Sequence, residues 1–210
     1  AFFGTRGAVT FNNSVLGNDY LFVQKDADVV LVDLPNFAER QRLKVGTWLD
    51  LGGGVKPSKY AHIPIITPLV VKELGWYATP MPTAQPVGFP IPASQEGRWT
   101  EFEGVVQSVN PNGTLVVQGT NGAIQLWLEK SVDGNADRYV DARVRARGVL
   151  LLSLQNTPLL LVPNLSFLAE EAAPPKDPFG LPLAPIATVL AKAGEVNLRH
   201  RVRIIGEVTY

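Results

Sequence analysis

The chain repeats itself, and that restricts its fold more than any other feature. Gly7-Ala8-Val9-Thr10-Phe11, Gly104-Val105-Val106-Gln107-Ser108 and Gly206-Glu207-Val208-Thr209-Tyr210 each set a glycine before β-forming residues, about a hundred residues apart. A unit of that length is one small domain. The match continues past the first segment. Leu21-Phe22-Val23-Gln24 aligns with Leu115-Val116-Val117-Gln118, and Val30-Leu31-Val32-Asp33-Leu34 with Ile124-Gln125-Leu126-Trp127-Leu128. Trp48-Leu49-Asp50-Leu51-Gly52-Gly53 meets Arg143-Val144-Arg145-Ala146-Arg147-Gly148, and Pro64-Ile65-Ile66 meets Pro158-Leu159-Leu160. The third copy stops after its first strand.

The second copy shows its strands most clearly. Residues 102–109 are β-rich and end at Asn110-Pro111-Asn112-Gly113, a strong hairpin turn. Residues 115–118 form the next strand, and Gly119-Thr120-Asn121-Gly122 a second turn. Ile124, Leu126 and Leu128 alternate with Gln125 and Trp127, so one face is buried. The polar stretch 129–139 reads as a short helix or loop. Over 140–149, Asp141, Arg143, Arg145 and Arg147 point one way and Val140, Ala142, Val144 and Ala146 the other. The last strand is expected over 158–167. Three strands, an insertion and two strands is the order of an OB barrel. The expected fold is therefore all-β, with tandem OB-fold-like five-stranded barrels and short helical or Pro-rich connectors. Gly7, Gly104 and Gly206 suit a bend in a long first strand. The expected division is 1–82 for module 1, 83–98 for a Pro-rich linker, and 99–173 for module 2. A linker with a short helix follows at 174–200, then the first strand of a truncated third module at 201–210. The linkers are apolar (Val87, Phe89, Ile91; Phe179, Leu181, Leu183) and are expected to pack on the modules.

Composition excludes several classes. With 46 % apolar and 18 % charged residues, the chain has material for real cores and too little charge for disorder. Nineteen basic residues balance nineteen acidic ones, so the basic excess of a dedicated nucleic-acid binder is missing. There is no cysteine, hence no disulfide, thiolate nucleophile or thiolate metal site. No apolar run reaches membrane-spanning length, and no signal peptide is visible at Ala1. The chain reads as a piece of something longer.

The chemical candidates are few. His62 and His200 lack companions at metal-ligand spacing and an orienting partner for general-base work. Asp133-Gly134-Asn135-Ala136-Asp137 opens like a calcium loop, but Arg138 and Val144 stand where glycine and a bidentate acid are needed. Gly52-Gly53-Gly54 lacks the lysine and hydroxyl of a phosphate loop and reads as a bent strand. Arg143, Arg145 and Arg147 form a basic stripe, more simply a solvated barrel face than an anion site. OB barrels bind on their second and third strands. The outward positions there are Phe22, Gln24, Leu31 and Asp33 in module 1, and Val116, Gln118, Gln125 and Trp127 in module 2. Each set has one aromatic and no cation, which suits packing or protein contact better than single-stranded nucleic acid. No cofactor, metal or catalytic residue is expected.

The hairpin Leu115-Val116-Val117-Gln118-Gly119-Thr120-Asn121-Gly122-Ala123-Ile124 resembles that of an OB-like repeat in the extracytoplasmic sensor regions of bacterial membrane-bound histidine kinases and related signalling proteins. Residues 184–210 resemble the opening segment of the same repeat. Module 1 departs from the pattern, with Lys25-Asp26-Ala27-Asp28 in place of the glycine-rich turn. The resemblance implies a non-enzymatic periplasmic or extracytoplasmic sensor or interaction region, with a ligand or protein partner and no catalytic residue. Nucleic acid is then not the expected partner, and membrane attachment would lie outside the chain. The alternatives are an accessory OB module of a secreted nuclease or other enzyme, and a single-stranded nucleic-acid binder. The 201–210 strand is expected to be paired, with module 2 or with a neighbouring chain.

Overall fold

Alternating apolar residues close each copy into a barrel. The structure, a computed structural model, describes residues 2–15, 18–34, 42–58, 63–84, 91–128, 136–152, 157–177, 180–191 and 201–205. Module 1 contains β1 (Phe2–Val15), β2 (Asn18–Lys25), β3 (Asp28–Val32), β4 (Thr47–Lys56) and β5 (Ile65–Tyr77). They close in the order β1-β2-β3-β5-β4, with β3 and β5 parallel. Val9, Leu21, Val23, Val30, Val32, Leu49, Leu51 and Ile66 fill the barrel. These are every second residue of each strand, as the two-residue period of a pleated strand requires.

Module 2 repeats the plan with β6 (Trp99–Val109), β7 (Leu115–Gly119), β8 (Gly122–Leu128), β9 (Arg143–Leu152) and β10 (Pro158–Val162). Here β10 runs parallel to β8 and antiparallel to β9, which closes the barrel. The fold is thus all-β, two tandem five-stranded barrels of OB order. The Asn110 turn forms as expected: Asn110 N–H donates to Thr114 O at 2.8 Å, and Gly113 takes φ +83. The expected last strand over 158–167 divides in two. A 3-10 turn at Leu165–Phe167 ends that stretch, and a sixth strand, β11 (Leu168–Ala172), pairs with the first half of β9.

The repeated glycines mark where strands cross too closely for a side chain. β1 pairs with β4 over its first half and with β2 over its second. At the crossing, a Cβ on Gly7 would lie 2.7 Å from Gln24 O, and one on Gly104 would collide with Gln118 O in the same way.

The strand expected over 140–149 is shifted. β9 starts at Arg143, and Asp141 precedes it in the left-handed region (φ +72), almost fully buried. Gly46 holds the same place in module 1 (φ +92). Gly46 N–H donates to Val9 O and Asp141 N–H to Val106 O, both at 2.8 Å. Asp141 is therefore not part of the arginine face.

The barrels share a core. Phe11, Phe22, Val29, Leu31 and Ile63 of module 1 meet Trp99, Val149, Leu151 and Leu161 of module 2, all buried. Gln24 ties them: its Oε1 accepts from Trp99 N–H at 2.7 Å and its Nε2 donates to Asp26 O at 2.7 Å. The first linker lies on module 2. Thr83 bridges Thr100, and Ile91 is buried in the module 2 core; Val87 and Phe89 lie outside the described residues. In the second linker a short helix, α1 (Ile186–Ala191), forms, and Leu183 stays 52 % exposed; Phe179 is outside the described residues.

Of the tail expected to pair over 201–210, residues 201–205 are described. Residues 201–205 form no strand with module 2, whose β9 edge β11 already occupies. They are held by a bridge between Arg203 and Leu183 and by Arg201 N–H donating to Asp141 Oδ1 at 3.0 Å. Residues 206–210 lie outside the described residues.

Candidate functional site

The two OB faces meet different ends. In module 1, Phe22, Gln24 and Leu31 are buried beneath module 2, and only Asp33 is exposed, paired to Lys56 at 2.5 Å. The cause is composition: Phe11, Phe22, Val29 and Leu31 form an apolar surface, and burying it is favourable. The equivalent residues of module 2 are Ser108, Val116, Ala123 and Gln125, smaller and more polar. That face stays partly open, with Val116, Gln118 and Gln125 half-buried and Gln118 Nε2 donating to Gly119 O at 3.1 Å. Trp127 packs against the core shared by the two modules and meets Phe11 edge-on, with ring centroids 5.8 Å apart.

The arginine stripe is neutralised. Arg143 pairs with Glu103, Arg145 with Glu171 at 2.5 Å and Arg147 with Glu101 at 2.6 Å. His62, His200 and residues 133–135 of the calcium-like loop lie outside the described residues. Among the described residues, no three His, Cys, Asp or Glu are grouped to hold a metal.

Among the described residues, exposed aromatic and basic groups come together on the outer side of β1, β4 and β5. Directly opposed residues share a face, and the register sets Arg6, Asp50 and Lys72 in one row across the three strands. Arg6 Nε donates to Asp50 Oδ2 at 3.1 Å, while Lys72 is exposed. The next row holds Trp48, opposite Ala8. Beyond Glu73, β5 carries extra residues relative to β4, with Gly75 at φ +75, and this bulge lays Trp76 on Trp48. Their rings stack at 5.0 Å and 28°, and Trp48 Nε1 donates to Ala78 O at 2.9 Å, which fixes the pair. Trp76 is 55 % and Tyr77 68 % exposed. On the other side of the row the floor is glycine, with Gly4 opposite Gly52. At the barrel mouth nearby, Phe3, Arg6, Lys25 and Asp28 line a cleft of about 340 Å³.

Sequence reasoning missed this face. A signal was present: Trp48 alternates with the buried Leu49 and Leu51 and so had to point outward. Trp76-Tyr77 ends a β-forming stretch, 65–77, longer than one barrel strand needs.

No family model matches the chain, and no curated protein does. Solved structures align with it. One is a murine DNA-binding protein bound to double-stranded DNA, at 10 % identity over 82 % of this chain and 99 % of that one, TM-score 0.40. Another is the p204 HINb domain, at 9 % identity over 76 % and 92 %, TM-score 0.39. A third is a deletion mutant of the single-stranded DNA-binding protein of Thermus aquaticus, at 12 % identity over 84 % and 85 %, TM-score 0.26. These findings correct the expectation of a histidine-kinase sensor repeat: two of these three structures are of proteins described as DNA-binding, and none is of a sensor region. The signalling role goes with it, as does the expectation that nucleic acid is not a partner. The extracytoplasmic placement loses the resemblance it leaned on. Likeness this distant does not say what this chain binds; its own surface must carry that argument.

Proposed function

We propose that the chain is a non-catalytic tandem OB module that binds single-stranded nucleic acid on the outer face of β1, β4 and β5. The observation that carries this is the exposed Trp48/Trp76 stack beside Arg6 and Lys72. Proteins that hold single strands stack bases on aromatic rings and follow the backbone with cations. The Trp76 ring offers such a surface, and the glycine floor lets a strand come close to the sheet. The aligned DNA-binding structures agree with this class of partner, but the reading rests on the residues of this face.

Few phosphates would be met. Asp50 engages Arg6, and the basic residues of β9 are all paired, so the electrostatic part of binding is small. Modest affinity and a shallow salt dependence are expected, unlike a dedicated basic binder. Titration of a fluorescent oligonucleotide at several salt concentrations tests this. Replacing Trp76 with alanine should weaken binding about tenfold, from about 1–3 kcal/mol per stacked base. Absence of binding at low salt would overturn the proposal.

A further inference from the structure

The mouth of the first barrel carries groups that the outer face does not use. β1 pairs with β4 from Phe2 to Ala8, and its pairing with β2 begins only at Ala8. The early half of β1 therefore parts from the β2–β3 turn, and the cleft of about 340 Å³ opens there. Val23 and Val30, buried members of the barrel core, line it, and Phe3 is 43 % exposed at its side. Lys25 and Asp28 are paired positions of the β2–β3 hairpin, and both are exposed. Among the described residues no ion pair engages either of them. Arg6 belongs to the cleft and also to the outer row with Asp50 and Lys72, so the two sites adjoin.

We propose that this cleft takes one unstacked base of the strand held on the outer face, and that it prefers cytosine to uracil. The proposal rests on the single-strand reading of that face. Apolar walls, an aromatic ring and unpaired charges of both signs suit a ligand with a flat apolar part, an anionic part and N–H donors, which is a nucleotide. The volume lies at the small end of ligand sites, about 300–1,000 Å³. The Phe3 ring offers a stacking surface, and the Lys25 ammonium meets the phosphate. Asp28 sets the preference. Its carboxylate accepts from the amino group of cytosine, whereas uracil presents a carbonyl oxygen at the same place and repels it. A base must be unpaired to offer that edge, so the cleft reads single strands.

Fluorescent dodecamers of deoxycytidine and of deoxyuridine, titrated above neutral pH into the full chain, read this directly. The cytidine strand should bind about fivefold or more tightly. Asp28→Asn, a conservative change at an exposed position, should abolish the preference. Lys25→Ala should weaken both strands alike. Trp76→Ala should also weaken both but keep the preference, so the two sites are read separately. Deoxycytidine monophosphate alone should bind at least about a hundredfold more weakly than the cytidine strand, since the outer face supplies the local concentration. Equal binding of the two strands, or a preference that survives Asp28→Asn, while Trp76→Ala weakens both, would overturn the cleft assignment and leave the outer face standing. Mononucleotide binding as tight as that of the strand would mark a free-nucleotide site and overturn it too. No binding of either strand would overturn both readings.

Discussion

Gln24 and Gln118 occupy the same place in the repeat, yet only Gln24 joins two domains. Its amide lies in a water-poor seam, with Oε1 on the Trp99 N–H. Gln24→Ala would leave that N–H unsatisfied and should cost about 1–3 kcal/mol, whereas Gln118→Ala on the open face should cost far less. Paired thermal melts of the two variants check this. Gly104→Ala should be worse, because the new methyl meets a backbone carbonyl that cannot move without opening β6 and β7; a loss of about 2–3 kcal/mol or failure to fold is expected. The glycines were legible in the sequence because they recur at one repeat position. The role of Gln24 was not. Its chain neighbours show an outward position on β2, while the group that covers it comes from the start of the next module.

At the scale of elements, period-two alternation made most strands readable, and it misled where a strand is covered on both sides. The second half of β9 has Val149, Leu150 and Leu151 all buried, one side facing its own barrel and the other facing module 1. No alternation survives there to be read. In the first half, Arg143, Arg145 and Arg147 alternate with buried Val144 and Ala146, and the sequence reading of a solvated face agrees with the ion pairs observed. Such exposed pairs contribute little, so Arg147→Ala should change stability by no more than about 0.5–1 kcal/mol. It should also leave oligonucleotide binding unchanged; a marked loss of binding would move the interface to module 2. The Trp48/Trp76 contact was hidden for another reason. It depends on a bulge in β5, and a bulge shifts register without leaving a clear mark in composition.

For the whole molecule, the shared core makes the two barrels one folding unit. Phe11, Phe22, Leu31, Trp99, Val149 and Leu161 lie buried in one cluster drawn from both modules. Chemical denaturation should therefore show a single transition by both tryptophan fluorescence and circular dichroism. Module 1 alone, residues 1–82, should aggregate or melt at lower temperature because it exposes that seam. Two separate transitions would show that the modules fold independently. The repeat revealed two barrels, but the surface between them could not be read from a pattern common to both, since it arises from their differences. The central claim is that an aromatic face of module 1 holds single-stranded nucleic acid. Its most direct test is oligonucleotide binding by the wild-type chain beside Trp76→Ala and Trp127→Ala, each shown to be folded. The account predicts binding that is about tenfold weaker in Trp76→Ala and unchanged in Trp127→Ala, whose ring lies against Phe11. Equal binding by wild type and Trp76→Ala, or none by either, would contradict it.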